Sequence, residues 1–472
     1  MAYTHYERLT ALDATFLELE SETVHMHVGA VALFDAAPLQ AADHGGFDFE
    51  LVRRGVESAL ALTPRFRQRV ARVPLLDHPV WVDDPHFHLD YHLRHTALPQ
   101  PGSERMLKRL AGRILSQKLD RGKPLWEFWV VEGVEGGRFA LIVKAHHCMV
   151  DGISGLDLLE RMMRLNPDPT VEPAPTWHPR PAPPGAEMLV SEIAHRARFP
   201  LAVAREGARA LGKPLEVASQ LGEQLLAVEE TVAAGFRPTA ETPLNDPIGP
   251  FRRFDWTRID LAAVREIRER LGGTLNDVVL ATAAGAIGRF LEHRRVVLPP
   301  GRPFRAQVPV STRGADDQSL SNRVVMLMAE LPVRERDPVA RLAAVRETMA
   351  KLKRSRQRAG VEILEDLGDR TAPALWTNFA RFATNQRTFN VVITNVPGPP
   401  RPVYLLGAPM HAIHPLVPLA WNQALGIAVF SYDGGLHWGF HADWEALPDL
   451  HEHLVAAVEE EFEQLHKRAA EA

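Results

Sequence analysis

FALIVKAHHCMVDGISG, residues 139–155, reads as a buried strand that runs into a cluster of reactive side chains. Phe139, Leu141, Val143, Ala145 and His147 share one face at period two; Ala140, Ile142, Lys144 and His146 share the other. So apolar a strand belongs inside a sheet. Two histidines, an aspartate and two glycines then crowd its end. Gly152 lets the backbone fold tightly, and His147 and Asp151 at such a turn point to a purpose beyond ending a strand.

Three chemistries suit these residues. A metal site would use His146, His147 and Asp151. Successive strand residues point to opposite faces, however, and no HExxH pattern or second His/Asp cluster stands out, so no metal is expected. A thiol mechanism would use Cys148, the one cysteine; it reads better as a small buried residue. In the third, His147 is a lone general base, because an imidazole can take a proton from an alcohol or thiol at neutral pH. Asp151 would then orient the histidine or brace the loop through an arginine. The plain alternative is that both histidines are hydrogen-bonded core residues, but a polar cluster buried without partners costs stability.

The chain has 472 residues, more than one core usually spans, so two domains are expected. A net charge of −5 gives no reason to expect a nucleic-acid partner. A lone cysteine rules out an intrachain disulfide and fits a reducing compartment. The first twenty residues carry acidic groups in their apolar part, unlike a secretory signal. No run of about 18 uncharged apolar residues occurs, so membrane contact is expected to be peripheral.

Outward from the central strand, Leu9 to Glu20 predicts a helix, His25 to Asp35 a strand and Phe49 to Leu62 a helix. Arg65 to Val73 alternates as a half-buried strand, and Phe87 to Leu93 reads as another. Pro124 to Glu132 pairs with the central strand across Gly133 to Gly137. Ser154 to Leu165 reads as a helix. Residues 166–185 are rich in proline, an extended linker. Ala186 to Ala234 is helical in composition and mixes apolar residues with arginines; it reads as a bridging helix pair or as an amphipathic surface that rests on anionic lipid. Beyond Pro243, strands are expected at Arg252 to Ile259, Arg305 to Val310, Val324 to Leu331, Thr388 to Thr394, Gly426 to Tyr432 and Leu436 to His441. Helices are expected at Leu261 to Leu271, Asp277 to Leu291, Asp337 to Arg354 and Pro448 to Arg468. Strands and helices mix without regular alternation, which points to two α+β sandwich-type α/β domains. The expected division is 1–165, a linker and bridging segment over 166–242, and 243–472.

His146 to Gly152 is HHxxxDG, and it resembles the motif of the CoA-dependent acyltransferase superfamily. Leu12 to Leu19 (LDATFLEL), Met26 to Gly29, Pro124-Leu125-Trp126, Leu244 to Arg253 (LNDPIGPFRR), Asn276 to Ala281 (NDVVLA), Pro309 to Arg313 (PVSTR) and Thr394 to Pro399 (TNVPGP) narrow the likeness. Together they resemble the bacterial wax ester synthase/acyl-CoA:diacylglycerol acyltransferase family across nearly the whole chain. One departure is Ser321-Asn322, where that family usually has Gly-Asn.

The resemblance implies two chloramphenicol-acetyltransferase-like domains with the active site at their interface. It implies transfer of a long-chain acyl group from acyl-CoA, a substrate, to diacylglycerol or a fatty alcohol, with no cofactor. His147 would be the general base and His146 a support. Asp151 would be a structural brace beside Gly152, paired with Arg67 or, second, Arg313. Asn276 and Asp277 become candidates for the oxyanion or substrate, since the motif sets Asn276 at a helix N-terminus; a plain helix cap is the equal alternative for Asn276. The expected setting is cytoplasmic, at a membrane or lipid-droplet surface. The alternatives are a condensation-type transferase on another acceptor and a non-catalytic lipid-binding relative.

Overall fold

The computed structural model describes residues 5–41, 45–149, 157–197, 239–311, 324–355 and 387–472. Two large mixed sheets organise them. The first has seven strands, in the order Leu93–Ala97, Trp126–Val134, Arg138–His146, His27–Asp35, Ala408–Leu416, Tyr404–Leu405 and Met163–Arg164. The second has six: Val324–Glu330, Arg305–Ser311, Val391–Pro397, Leu425–Tyr432, Gly435–Asp443 and Arg252–Asp260. A small three-stranded sheet, Glu7–Arg8, Pro79–Asp83 and Gln68–Arg72, flanks the first.

The central strand Arg138–His146 is buried on both faces, as its composition predicts. It pairs with Trp126–Val134 through a turn in which Gly136 and Gly137 take φ of +78° and +69°. On its other side lies His27–Asp35. There Gly29 is obligatory, because an added Cβ would sit 1.8 Å from the Val143 carbonyl oxygen.

Helix ends follow local chemistry. Asp260 and Asp337 cap Leu261–Leu271 and Pro338–Arg354. Gly272, at φ +73°, closes the first of these. Helix Leu275–His293 forms the middle of the second half, and almost every residue from Asp277 to Leu291 is buried.

Four expectations need correction. Pro64–Arg67 is a 3₁₀ turn, so the strand there is only Gln68–Arg72. Leu89–Tyr91 is likewise 3₁₀, and the strand is Leu93–Ala97: His92 turns inward, with Nδ1 2.9 Å from the Trp126 carbonyl, before the chain can pair. Pro448 to Arg468 is not one helix, for a π-helical turn at His451–Val455 precedes Ala456–Glu471. Most consequential, Ala408–Leu416 was not anticipated. It pairs antiparallel with His27–Asp35, so residues after 243 complete the first sheet. The division at 243 therefore does not separate the two sheets. Residues 166–185 run as an extended connection, and a helix follows over 185–197; Arg198 to Ala234, like Ser154, lies outside the described residues.

Arg252 locks the two halves. Its backbone N–H donates to Ser116 Oγ at 2.8 Å, and Gly112 lies against its carbonyl. Its guanidinium, 1% exposed, donates to the carbonyls of Gly249, Phe251 and Thr23 and lies 3.7 Å from Asp443. Asn245 of the same segment is buried too: it donates to the carbonyls of Phe389 and Asn422 and accepts from Asn390 at 2.6 Å. Asn245 and Arg252 of LNDPIGPFRR are thus architectural. Arg252→Met should lower stability by about 1–3 kcal/mol, since it leaves the carbonyls of Gly249, Phe251 and Thr23 without this donor, while Asp443 keeps the backbone N–H groups of Gly249, Glu445 and Ala446; the midpoint of urea unfolding measures this.

Buried histidines set the acid limit. Burial depresses His25, His78 and His437 to about 4 and His441 to about 3, from an ordinary 6.5. Between those values and 6.5 the unfolded chain binds more protons than the folded one, so stability is whole above pH 6.5 and falls on acidification. The melting temperature should drop steadily from pH 7 to about 4.5; a flat profile there would contradict this account.

Candidate active site

The strand Arg138–His146 stops one residue short of His147, which opens a 3₁₀ turn, His147–Met149. Strict alternation therefore fails at the decisive residue. What sets His147 apart from His146 is the turn. Two backbone bonds fix it: the His146 N–H donates to the Leu125 carbonyl at 2.9 Å and the His147 N–H to the Met26 carbonyl at 2.8 Å. Met26 sits in the left-handed region at φ +48°, unusual for an unbranched apolar residue, which aims that carbonyl at the turn. The PLW segment thus acts through its backbone, while Trp126 is fully buried and donates to the Phe66 carbonyl at 2.8 Å.

His147 is half-buried and stacks on Phe16, ring centroids 3.9 Å apart at 30°. Phe16 lies on helix α1, Ala11–Leu19, and packs against the cores of both halves. Burial holds the imidazole down to about 4, so it is neutral at physiological pH, and the same desolvation lowers its affinity for a proton. His146 is fully buried and held to about 3, by burial first and then by Arg121 and His147. Its Nδ1 accepts from the Cys148 N–H at 3.2 Å. Its Nε2 faces Glu20 at 3.6 Å. Cys148 is buried and burial pushes its thiol up, the opposite of what a thiolate nucleophile needs.

The same strand face carries Lys144, fully buried, which donates to the carbonyls of Ile114 and Gln117 and lies 3.1 Å from Glu127. His27, opposite His146 in the ladder, is buried, and neither of its ring nitrogens has a hydrogen-bond partner among the described residues.

Asp151, Gly152 and Arg313 lie outside the described residues. Arg67 is buried in its 3₁₀ turn, 5.2 Å from the Trp177 ring and 6.0 Å from Phe87, with no hydrogen-bond partner for Nε among the described residues. It lines a cavity of about 500 Å³ with Arg65, Gln68, Trp177 and Arg180. In the second half, the cap of helix Leu275–His293 is Thr274, not Asn276. Asp277 completes a capping box: its carboxylate accepts from the Thr274 N–H at 2.7 Å. Asn276 occupies the second helical position, half-buried.

Away from this turn, His293, Asp449 and His453 bring three ligand atoms within 4.8 Å of one another. Asp449 already holds Arg294, and the two imidazoles stack at 3.6 Å. Stacking turns their lone pairs parallel instead of toward one point, so the trio reads as a surface ion-pair cluster.

Sequence reasoning did not single out three residues that build the site: Phe16, Met26 and Glu20. Phe16 was legible only as an inward helix position, and Glu20 resembled any solvated acid in LELESE.

Comparison with known proteins agrees with this architecture. The model of the wax ester synthase/diacylglycerol acyltransferase catalytic domain matches residues 9–279, and that of the WS/DGAT C-terminal domain matches residues 320–466. A putative diacylglycerol O-acyltransferase of Mycobacterium tuberculosis is 34% identical over 452 residues, 94% of this chain and 87% of the relative. The O-acyltransferase WSD of Acinetobacter baylyi is 33% identical over 96% of each chain. Among solved structures, the wax ester synthase/diacylglycerol acyltransferase of Marinobacter aquaeolei matches with a TM-score of 0.67 and 28% identity, over 98% of this chain and all of that one. The first condensation domain of the CDA synthetase shares the fold, with a TM-score of 0.56 at 17% identity over 99% of this chain and 96% of that one. With its catalytic-domain model spanning more than half of the sequence and relatives matched nearly end to end, the chain belongs to the wax ester synthase/diacylglycerol acyltransferase family.

Proposed function

We propose that this enzyme transfers a long-chain acyl group from acyl-CoA to diacylglycerol, a long-chain fatty alcohol or both, with His147 as the general base. The observation that carries the reading is an imidazole set on the turn that follows the central strand of the first sheet and stacked on Phe16, which packs against both cores. His147 takes the proton of the acceptor hydroxyl as its oxygen attacks the thioester carbonyl. The tetrahedral intermediate collapses, the C–S bond breaks, and the same imidazolium can return the proton to the CoA thiolate. No acyl-enzyme forms, so no protein nucleophile is required, and acyl-CoA enters as a substrate with no further cofactor.

The oxyanion requires donors near the carbonyl. Asn276 is the proposed contributor, supported by its place in the first turn of a helix whose N-terminus favours negative charge. Asp151 is the proposed brace of the motif loop, with Arg67 as partner; the support is a buried guanidinium whose Nε lacks a hydrogen-bond partner among the described residues. His147→Ala should cut transfer from palmitoyl-CoA to hexadecanol and to dioleoylglycerol by roughly 10²–10⁴ while the circular dichroism spectrum persists. Undiminished turnover in the folded variant would overturn the base assignment, and thin-layer chromatography of the two products identifies the preferred acceptor.

Among the described residues no helix is long and apolar enough to cross a membrane. The substrates nevertheless partition into lipid, and a peripheral contact is proposed at the helix over 185–197. It seats Met188 on the small sheet and pairs Glu192 with Arg8 and Arg196 at 2.7 Å. Outward it leaves Ala186, Val190, Ile193, Ala194 and Ala197, with Val190 66% and Ile193 53% exposed. This spacing makes an apolar stripe along one face. The wild-type chain should co-sediment with anionic liposomes, and Val190→Asp with Ile193→Asp should release it without changing turnover on detergent-dispersed substrate. Equal sedimentation of the double variant would remove this surface from consideration.

A further inference from the structure

We propose that Glu20 is a positioning residue for acyl transfer, acting through His146 on the turn that presents His147. The proposal rests on the base assignment above and deepens it.

Glu20 is the residue at which α1 ends, and its side chain is only 2% exposed. A carboxylate at a helix C-terminus faces the negative end of the helix dipole, and burial adds a desolvation cost. Arg121 and Lys118 offset both. Arg121 Nε lies 2.7 Å from Oε2 and Lys118 Nζ lies 3.4 Å from Oε1. Arg121 also donates to the Leu17 carbonyl, which fastens the same guanidinium to the last turn of α1.

The carboxylate is thereby held against His146. Because His146 Nδ1 accepts from the Cys148 N–H, a neutral ring carries its proton on Nε2. That N–H faces Glu20 Oε2 at 3.6 Å, and among the described residues His146 Nε2 has no hydrogen-bond partner. The gap is about half an ångström beyond a hydrogen bond. Contacts in a catalytic site commonly stand open without substrate and tighten in the complex. Closing it would pull the ring that holds the Cys148 N–H, and Cys148 follows His147 in the same 3₁₀ turn.

α1 therefore grips the base at two points. Phe16 stacks on the imidazole itself, and Glu20 reaches the turn through His146. A plain ion pair between Glu20 and Arg121 would stabilise α1 but would leave the turnover of a folded enzyme unchanged.

A double-mutant cycle on the full-length chain separates the two roles. His146→Asn keeps an acceptor near the Nδ1 position and deletes Nε2. Glu20→Gln should lower kcat on palmitoyl-CoA and hexadecanol by on the order of tenfold or more, with KM within about twofold. In the His146→Asn background the same substitution should cost nothing further. Glu20→Asp keeps the charge for Arg121 but withdraws it by one methylene; it should also lose kcat, and it serves if the glutamine variant fails to fold. Wild-type kcat in folded Glu20→Gln or Glu20→Asp, or a full tenfold loss persisting on top of His146→Asn, overturns the proposal. A wild-type chain that transfers no acyl group, or His147→Ala that still does, defeats the base assignment instead.

Discussion

The structure depends on how the short segment after α1 is held. Residues 19–26 leave a helix of the first half and thread into the core of the second, where Leu19, Val24 and Met26 are buried among residues beyond 240. From there the Thr23 carbonyl accepts from Arg252, and the Met26 carbonyl accepts from the His147 N–H. One backbone segment thus binds the second half and the proposed base within four residues. Any shift between the halves is transmitted to His147 with little slack, because packed cores and a buried guanidinium resist small displacements. Acyl transfer needs this kind of constraint, since misplacing a base by an ångström forfeits much of its effect.

Burial shapes the chemistry in two opposite ways. It disfavours the imidazolium of His147, which keeps the ring neutral well below pH 6.5 and weakens it as a base. It also raises the Cys148 thiol, which removes a competing nucleophile one residue away. The same desolvation makes each buried polar group costly unless paired. The chain answers with carbonyl oxygens as well as carboxylates: Lys144 donates to the carbonyls of Ile114 and Gln117 beside Glu127, Arg252 to three backbone carbonyls near Asp443, and Arg341 to those of Ala281 and Glu335 and to Glu461. Charges settled this way tie neighbouring segments of the scaffold together.

Much of this was legible in the residues. The central strand follows from period-two burial, the hairpin before it from Gly136-Gly137, and the ends of Leu261–Leu271 and Pro338–Arg354 from Asp260, Gly272 and Asp337. These signals are local, so sequence alone carries them. Ala408–Leu416 was missed because APMHAIHPL has two prolines and two histidines three residues apart, a poor strand by its own pattern; its pairing with residues 29–34 supplies what propensity does not. The capping box that Asp277 closes with Thr274 is written in TLND, yet the family motif drew attention to the same residue for a different reason. Glu20 escaped notice for the converse reason: nothing in a run of acids announces that one of them is sealed between Arg121 and an imidazole.

The strand Ala408–Leu416 has one more consequence, for how the chain is made. It lies against His27–Asp35, so a strand near the amino terminus finds one of its two neighbours only after some 380 further residues have been synthesised. Until then, that edge of the first sheet stays open on the nascent chain, a template for pairing with other chains. Cutting the gene at the proline-rich connection would yield not two miniature enzymes but one sheet lacking two strands, Tyr404–Leu405 and Ala408–Leu416, and a second piece carrying those two strands away from their sheet. The halves look like separable modules in the arrangement of their sheets, yet they are woven together in their folding.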